Sequence, residues 1–275
     1  MIKILLAGEG GQGVQTVAKI LTEAAQKAGL KTSYIPSFGV EQRGGVSLSY
    51  IQIDTEQIPY PRFEKADIIV GFCDRSIKVI KKYLAENTLF IFDNSAIHDQ
   101  FLKEIKTETH KYLAVPAQKL AQEKYSTKVL NMIILGALAA QIEGLDDVKV
   151  EEALLDTLGA KIAAKPELKE MNINALNEGK EIAKNFDQNT TTFAGTETKE
   201  IVKEFSDDKK TWTRFPEYCK GCALCIVRCP VKALKFSKEV GFLGNPLPEV
   251  DINTCIACGM CEKTCPDGAI RVERK

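Results

Sequence analysis

Eight of the nine cysteines fall between positions 219 and 265, in two runs of identical spacing: Cys219-x2-Cys222-x2-Cys225-x3-Cys229-Pro230 and Cys255-x2-Cys258-x2-Cys261-x3-Cys265-Pro266. Thiolates are soft, charge-donating ligands that suit iron–sulfur clusters and zinc. Three cysteines at two-residue intervals wrap a short loop around one corner of an iron–sulfur cube and leave the fourth ligand to come from elsewhere. Zinc, the rival occupant, takes four ligands per tetrahedral site, and paired C-x2-C motifs can supply them. Two copies of the longer run, each closed by a proline, fit a pair of [4Fe–4S] clusters better. The proline fixes φ and offers no N–H, which suits a chain leaving the ligand loop. Gly221 and Gly259 lie between ligands, where small residues let backbone amides approach the cluster sulfurs. Such hydrogen bonds, together with net charge and solvent exposure, set the reduction potential.

An offset of 36 residues lays each cysteine of the first run on its counterpart in the second. The apolar tails agree as well: Val231, Ala233, Leu234 and Phe236 follow one run, and Ala269, Ile270 and Val272 the other. Each half reads as a ligand loop, a helical turn and a strand. The spacing is similar to that of bacterial two-cluster ferredoxins, in which the last cysteine of each run ligates the other cluster. This assigns Cys219, Cys222, Cys225 and Cys265 to one cluster, and Cys255, Cys258, Cys261 and Cys229 to the second. So small a module has too little core to be secure alone, so clusters would also staple it.

The elements that must position these residues occupy the end of a chain of 275 residues, long enough for two domains. The first two hundred residues hold only Cys73, a skew that divides the chain into modules. With 37 basic and 37 acidic residues there is no basic stripe for nucleic acid or an anionic membrane. The opening Met1 to Gly8 is apolar for too few residues to read as a signal peptide, and no stretch approaches the ~20 apolar residues of a spanning helix. The expected location is the cytoplasm, where clustered cysteines hold metal rather than form disulfides.

Upstream, periodicity predicts strands over 2–8, 31–36, 46–53, 67–72 and 88–92, and helices over 11–28, 75–85, 116–124, 130–142, 148–158 and 166–184. Strands alternating with helices predict an α/β fold: a mostly parallel sheet with helices on both faces, 46–53 being the candidate exception. A small α+β two-cluster ferredoxin-like domain follows it. The expected boundaries are an α/β domain over 1–186, a linker over 187–211 rich in Asn, Asp, Thr and Lys, and the two-cluster domain over 212–275.

The turn Gly8-Glu9-Gly10-Gly11-Gln12-Gly13 fits G-x-G-x-x-G between a strand and a helix, a place where backbone N–H groups and the helix dipole favour a phosphate. The acidic residue that a nicotinamide site needs about twenty positions later is missing from 31–36. In the loop Pro36-Ser37-Phe38-Gly39-Val40-Glu41-Gln42-Arg43-Gly44-Gly45, two readings of Arg43 stand: a fork clamping phosphate or carboxylate, or a solvated surface residue. Cys73 reads as a small core residue, His98 and His110 as surface residues, and Asp67 and Asp93 as turn or cap residues. Trp212 reads as a packing residue.

Nothing in the chain generates low-potential electrons. It has no triad pattern, no P-loop and no acidic Gly-Asp-Gly run of the kind that holds magnesium and thiamine diphosphate. The glycine-rich opening through Val14, the 36–45 loop, Ile58-Pro59 and the strand Ala66-Asp67-Ile68-Ile69-Val70 resemble the gamma subunit of 2-oxoacid:ferredoxin oxidoreductases of the pyruvate/2-ketoisovalerate type. The cysteine module resembles their delta subunit, so the chain resembles a gamma–delta fusion. The resemblance implies an enzyme subunit that is not catalytic alone. Alpha and beta subunits would carry thiamine diphosphate, magnesium and the 2-oxoacid for coenzyme A-acylating oxidative decarboxylation. Electrons would leave through the two clusters to soluble ferredoxin or flavodoxin. The turn at Gly8, Gly10, Gly11, Gln12 and Gly13, with Arg43, would hold part of coenzyme A. Two other classes compete: a nucleotide-dependent oxidoreductase fused to a ferredoxin and active alone, and a structural iron–sulfur adaptor.

Overall fold

The apolar run after Met1 forms β1 (Ile2–Glu9), and the periodic segment after the glycine-rich turn forms α1 (Val14–Lys27). Then come β2 (Lys31–Phe38), β3 (Val46–Asp54), β4 (Ala66–Gly71), α2 (Asp74–Ile80), β5 (Leu84–Asp93), α3 (Asp99–Leu102) and β6 (Lys111–Val115). Four helices complete the unit: α4 (Ala117–Lys124), α5 (Leu130–Ala139), α6 (Asp147–Ala164) and α7 (Glu167–Lys184). The structure, a computed structural model, describes residues 1–38, 45–105, 111–186, 202–241 and 245–275. Arg43, His110 and residues 187–201 of the expected linker lie outside them. The chain divides into two compact units, Met1–Glu197 and Thr198–Lys275.

The six strands run in the order β2-β3-β1-β4-β5-β6. Pairs β1–β4, β4–β5 and β5–β6 are parallel, whereas β3 lies antiparallel to both β1 and β2. β3 is the exception that the pattern allowed, because only seven residues separate it from β2, too few for the crossover a parallel pair needs. Successive residues of β1 point to opposite faces and both faces are covered. Ile4 and Leu6 pack in a core with α1, α5, α6 and α7, and Leu5 and Ala7 in a core with Ile77, Ile80 and Leu102 of α2 and α3.

Three local readings change. The helix expected over 75–85 ends at Ile80, a 3-10 turn covers Lys81–Tyr83, and β5 begins at Leu84. There the Thr88 hydroxyl accepts the Ala85 N–H and bonds the Ala66 carbonyl, so side-chain hydrogen bonding extends the strand where apolar periodicity is silent. β6 and α3 are too short to announce themselves by period. Within the expected linker, residues 203–211 fold: β7 (Lys203–Ser206) pairs antiparallel with β8 (Lys210–Arg214). The Asp207 carboxylate closes that turn by accepting the N–H groups of Lys209 and Lys210.

The second unit continues through α8 (Leu224–Val227), β9 (Leu234–Val240), β10 (Pro246–Val250), α9 (Met260–Thr264) and β11 (Ile270–Arg274). β11 pairs with β8 and β10 with β9, both antiparallel. The 36-residue repeat relates β8 to β10, α8 to α9 and β9 to β11, so the two ligand loops are flanked by two matching antiparallel strand pairs.

In the first unit, every residue of α5 is buried, and it crosses α7 at two glycines. A Cβ on Gly136 would lie 1.9 Å from the Leu176 carbonyl oxygen, and one on Gly179 1.9 Å from the Ile133 carbonyl oxygen. Gly136→Ala or Gly179→Ala is therefore expected to destabilise the unit by about 3 kcal/mol or more, read as a lower thermal midpoint. Gly159→Ala, in α6 where an added Cβ meets nothing within 4 Å, should instead stabilise it by roughly 0.5–1 kcal/mol.

Candidate metal centres and the glycine-rich turn

Cys219, Cys222, Cys225 and Cys265 line one pocket. Cys255, Cys258, Cys261 and Cys229 line another. The fourth cysteine of each run thus stands at the other run's cavity, carried there by the helical turn of α8 or α9. Among the described residues, no three His, Cys, Asp or Glu side chains are grouped around a single ion position.

Each loop is bent by residues in the left-handed region, and these too repeat at 36: Gly221 (φ 64°) with Ala257 (50°), Ala223 (66°) with Gly259 (69°), and Lys232 (52°) with Gly268 (64°). One member of each pair is a glycine and the other is not, so backbone strain is retained where a side chain is present. These bends turn amides toward sulfur. Ala233 N–H donates to Cys229 Sγ (3.3 Å), Ala269 N–H to Cys265 Sγ (3.2 Å) and Ala257 N–H to Cys255 Sγ (3.4 Å). Trp212, fully buried, adds its indole N–H to Cys261 Sγ at 3.4 Å. Its role thus goes beyond the packing expected of it.

Donors aimed at sulfur and soft ligands around an open space fit a thiolate-ligated cluster. Burial pushes the Cys225 thiol up to about 12 and raises Cys219 and Cys261 as well; the buried Arg214 guanidinium opposes the rise at Cys219. Metal binding at such thiols must displace protons. Arg214, 1% exposed, donates through Nη1 to the Pro248 carbonyl (2.8 Å) and through Nη2 to Glu239. Lys220 and Asp267 form a further buried ion pair. Composition hides these residues; comparing the two halves at the 36-residue offset for where they differ would have exposed them.

In the first unit, the glycine-rich turn is closed from within. Gln12, 4% exposed, accepts the Glu9 N–H at 2.7 Å and donates to the Phe72 carbonyl at 3.4 Å. Gly10 N–H donates to the Gly45 carbonyl, tying the turn to the start of β3. Gly13 caps α1 at φ 81°, and a Cβ there would meet the Asn131 side chain at 2.3 Å. No side chain caps α1 and no acidic residue lies in its first turn, so its N-terminus keeps its positive end. Glu9, 2% exposed, pairs with Arg75 at 3.2 Å.

The lesser candidates resolve simply. Cys73 is buried, its thiol pushed far up by that burial and by the Glu9 charge. Asp93 accepts from Ser95 and from the Gln118 N–H at the start of α4; burial raises its carboxyl to about 6 against those hydrogen bonds. Asp67 accepts the Lys3 N–H. His98 corrects the sequence reading: its side chain is 15% exposed, with Nδ1 2.6 Å from Asp74 Oδ2.

The sequence profile for pyruvate ferredoxin/flavodoxin oxidoreductase matches residues 3–182. The chain belongs to this family. Residues 218–269 match the 4Fe-4S dicluster domain. Among curated relatives, 2-oxoglutarate synthase subunit KorC of Methanothermobacter marburgensis is 31% identical over 183 residues, covering 66% of this chain and 95% of that protein. Ketoisovalerate oxidoreductase subunit VorA of the same organism is 29% identical over 184 residues, and the chain spans only 37% of its length. A 2-oxoglutarate:ferredoxin oxidoreductase from Magnetococcus marinus, solved with 2-oxoglutarate, coenzyme A and succinyl-CoA bound, shares the fold. Its TM-score is 0.60 at 23% identity, covering 74% of this chain and 35% of that one. Among the described residues no helix is long and apolar enough to cross a membrane.

The left-handed pairs give a test inside one molecule. Gly221→Ala places a Cβ 2.6 Å from Asn245 and is expected to lower iron retained after anaerobic purification. Gly259→Ala meets open space in a conformation Ala223 already adopts, and should retain iron at a cost of about 1 kcal/mol in stability.

Proposed function

We propose that this chain is the electron-output subunit, gamma and delta fused, of a cytoplasmic 2-oxoacid:ferredoxin oxidoreductase. The observation that carries the reading is the pairing, in one chain, of a family α/β unit with two cavities each walled by four cysteines. In this reading Cys219, Cys222, Cys225 and Cys265 hold one [4Fe–4S] cluster, and Cys255, Cys258, Cys261 and Cys229 the other. The clusters would supply one-electron transfer at low potential. The chain's own residues supply the surroundings: backbone amides and Trp212 stabilise charge on sulfur, while β8 to β11 wall off solvent. Cys222 and Cys258 are exposed, so each centre has an edge within reach of another protein.

Decarboxylation of the 2-oxoacid would take place on alpha and beta subunits carrying thiamine diphosphate and magnesium, since this sequence has no triad pattern and no acidic Gly-Asp-Gly run. Soluble ferredoxin or flavodoxin would accept the electrons. The positive N-terminus of α1 and the turn at Gly8, Gly10, Gly11, Gln12 and Gly13, with Arg43, would contact the phosphates of coenzyme A. Support comes from the uncapped helix end and from the coenzyme A bound in the Magnetococcus marinus enzyme. The Glu9, Gly10 and Gln12 N–H groups are engaged inside the turn, so the contacting amides would be those at the start of α1.

The test is anaerobic purification with the co-expressed partner subunits, followed by electron paramagnetic resonance after adding a 2-oxoacid and coenzyme A. Signals from two reduced clusters, seen only with the partner present, are expected. Reduction of the isolated chain by NADH, or no substrate reduction in the complex, would contradict the reading. In the same complex Gly10→Ala and Arg43→Ala should raise the apparent KM for coenzyme A, and unchanged values would remove the turn from the coenzyme site.

A further inference from the structure

We propose that the two centres have a fixed order of reduction potential: the buried charge of Arg214 holds the Cys219/Cys222/Cys225/Cys265 centre above the Cys255/Cys258/Cys261/Cys229 centre. The inference rests on the reading of both cysteine sets as cluster ligands.

The internal repeat makes the comparison nearly controlled. Positions 36 residues apart occupy matching places, and the amide donors match: Ala233 and Ala269 serve Cys229 and Cys265 alike. What separates the centres is therefore whatever breaks the repeat. Lys220 and Asp267 line the first cavity, and their counterparts at the second are Ile256 and Val231. Pro248 lines the first and its counterpart Trp212 the second. Val250 lines the second, and its counterpart is Arg214, which pairs in register with the cavity residue Ile270 and donates to the carbonyl of the cavity residue Pro248. One centre is bordered by charge and the other by apolar side chains.

The signs follow from electrostatics. Reduction adds one electron to a thiolate-ligated cluster and takes its charge from about −2 to about −3. A nearby cation stabilises the added charge, and an apolar wall destabilises it. Lys220 and Asp267 cancel in net charge, which leaves Arg214. Its partner Glu239 is 48% exposed and shared with Lys203, so the trio carries net positive charge and its anion is the member open to solvent screening. The guanidinium is 1% exposed, and its Nε has no hydrogen-bond partner among the described residues. The Trp212 N–H at Cys261 works the other way, raising the second centre. It is a single dipole at 3.4 Å, whose field falls faster with distance than that of a full buried charge. The first centre therefore takes the first electron and the second centre the next.

The experiment is a redox titration of the full chain with its partner subunits, using dithionite and following the reduced-cluster signals by electron paramagnetic resonance, with iron content measured on each sample. Two one-electron steps are expected. Arg214→Gln should move the higher step to more negative potential and leave the lower one in place, and Arg214→Lys should restore it. Glu239→Gln, at a half-exposed side chain, should move the same step positive. Trp212→Phe should move the lower step negative. A shift of the lower step by Arg214→Gln, an equal shift of both, or no shift in either with iron retained would overturn the proposal. If Arg214→Gln loses iron, Glu239→Gln decides: an unmoved higher step overturns it. A wild-type complex lacking two clusters would instead sink the cluster reading itself.

Discussion

A thiolate is tolerated inside a protein where a metal takes its charge, and the second unit is organised around eight thiols. Burial disfavours the thiolate at Cys219, Cys225 and Cys261, so metal loading must displace protons there. Cys225 and Cys261 also belong to the unit's main hydrophobic cluster, with Trp212, Ala233, Leu234, Val250 and Ile270. The ligands are therefore also core. Because the fourth cysteine of each run lines the other run's pocket, neither half is complete alone.

That constraint accounts for the backbone. The loops retain left-handed Ala223, Lys232 and Ala257, conformations that β-carbons disfavour, because those bends aim amides at sulfur. The first unit obeys a different economy. Its sheet is buried on both faces, its central helix α5 is buried throughout, and two glycines let α7 cross it at backbone contact. The first unit relies on packing, and the second, with its smaller core, on its cysteine ligands.

The two groups of four cysteines that line the cavities were expected from the spacing and its likeness to two-cluster ferredoxins, since cluster chemistry fixes ligand number and loop length. The α/β fold was legible from near-continuous apolar strands alternating with helices, and β3 stood out as the element without a crossover. Short elements were not legible. β7 shows a single core residue, Phe205, packed edge-on against Trp212 at 5.6 Å, and one aromatic in a polar run gives no period. Arg214 and Trp212 were invisible as functional residues because their meaning comes from the partner strand and from the 36-residue comparison. The turn at Gly8 to Gly13 reads as a phosphate fingerprint, yet Gln12 and Asn131 show that much of its glycine content serves close packing.

The measurement that bears most directly on the account is electron paramagnetic resonance of single Cys→Ser variants of the reduced chain in its complex. If the fourth ligands cross, Cys265→Ser perturbs the same one of the two signals as Cys222→Ser, and Cys229→Ser perturbs the one changed by Cys258→Ser. If Cys265→Ser instead groups with Cys258→Ser, each run holds its own cluster and the crossed architecture is wrong.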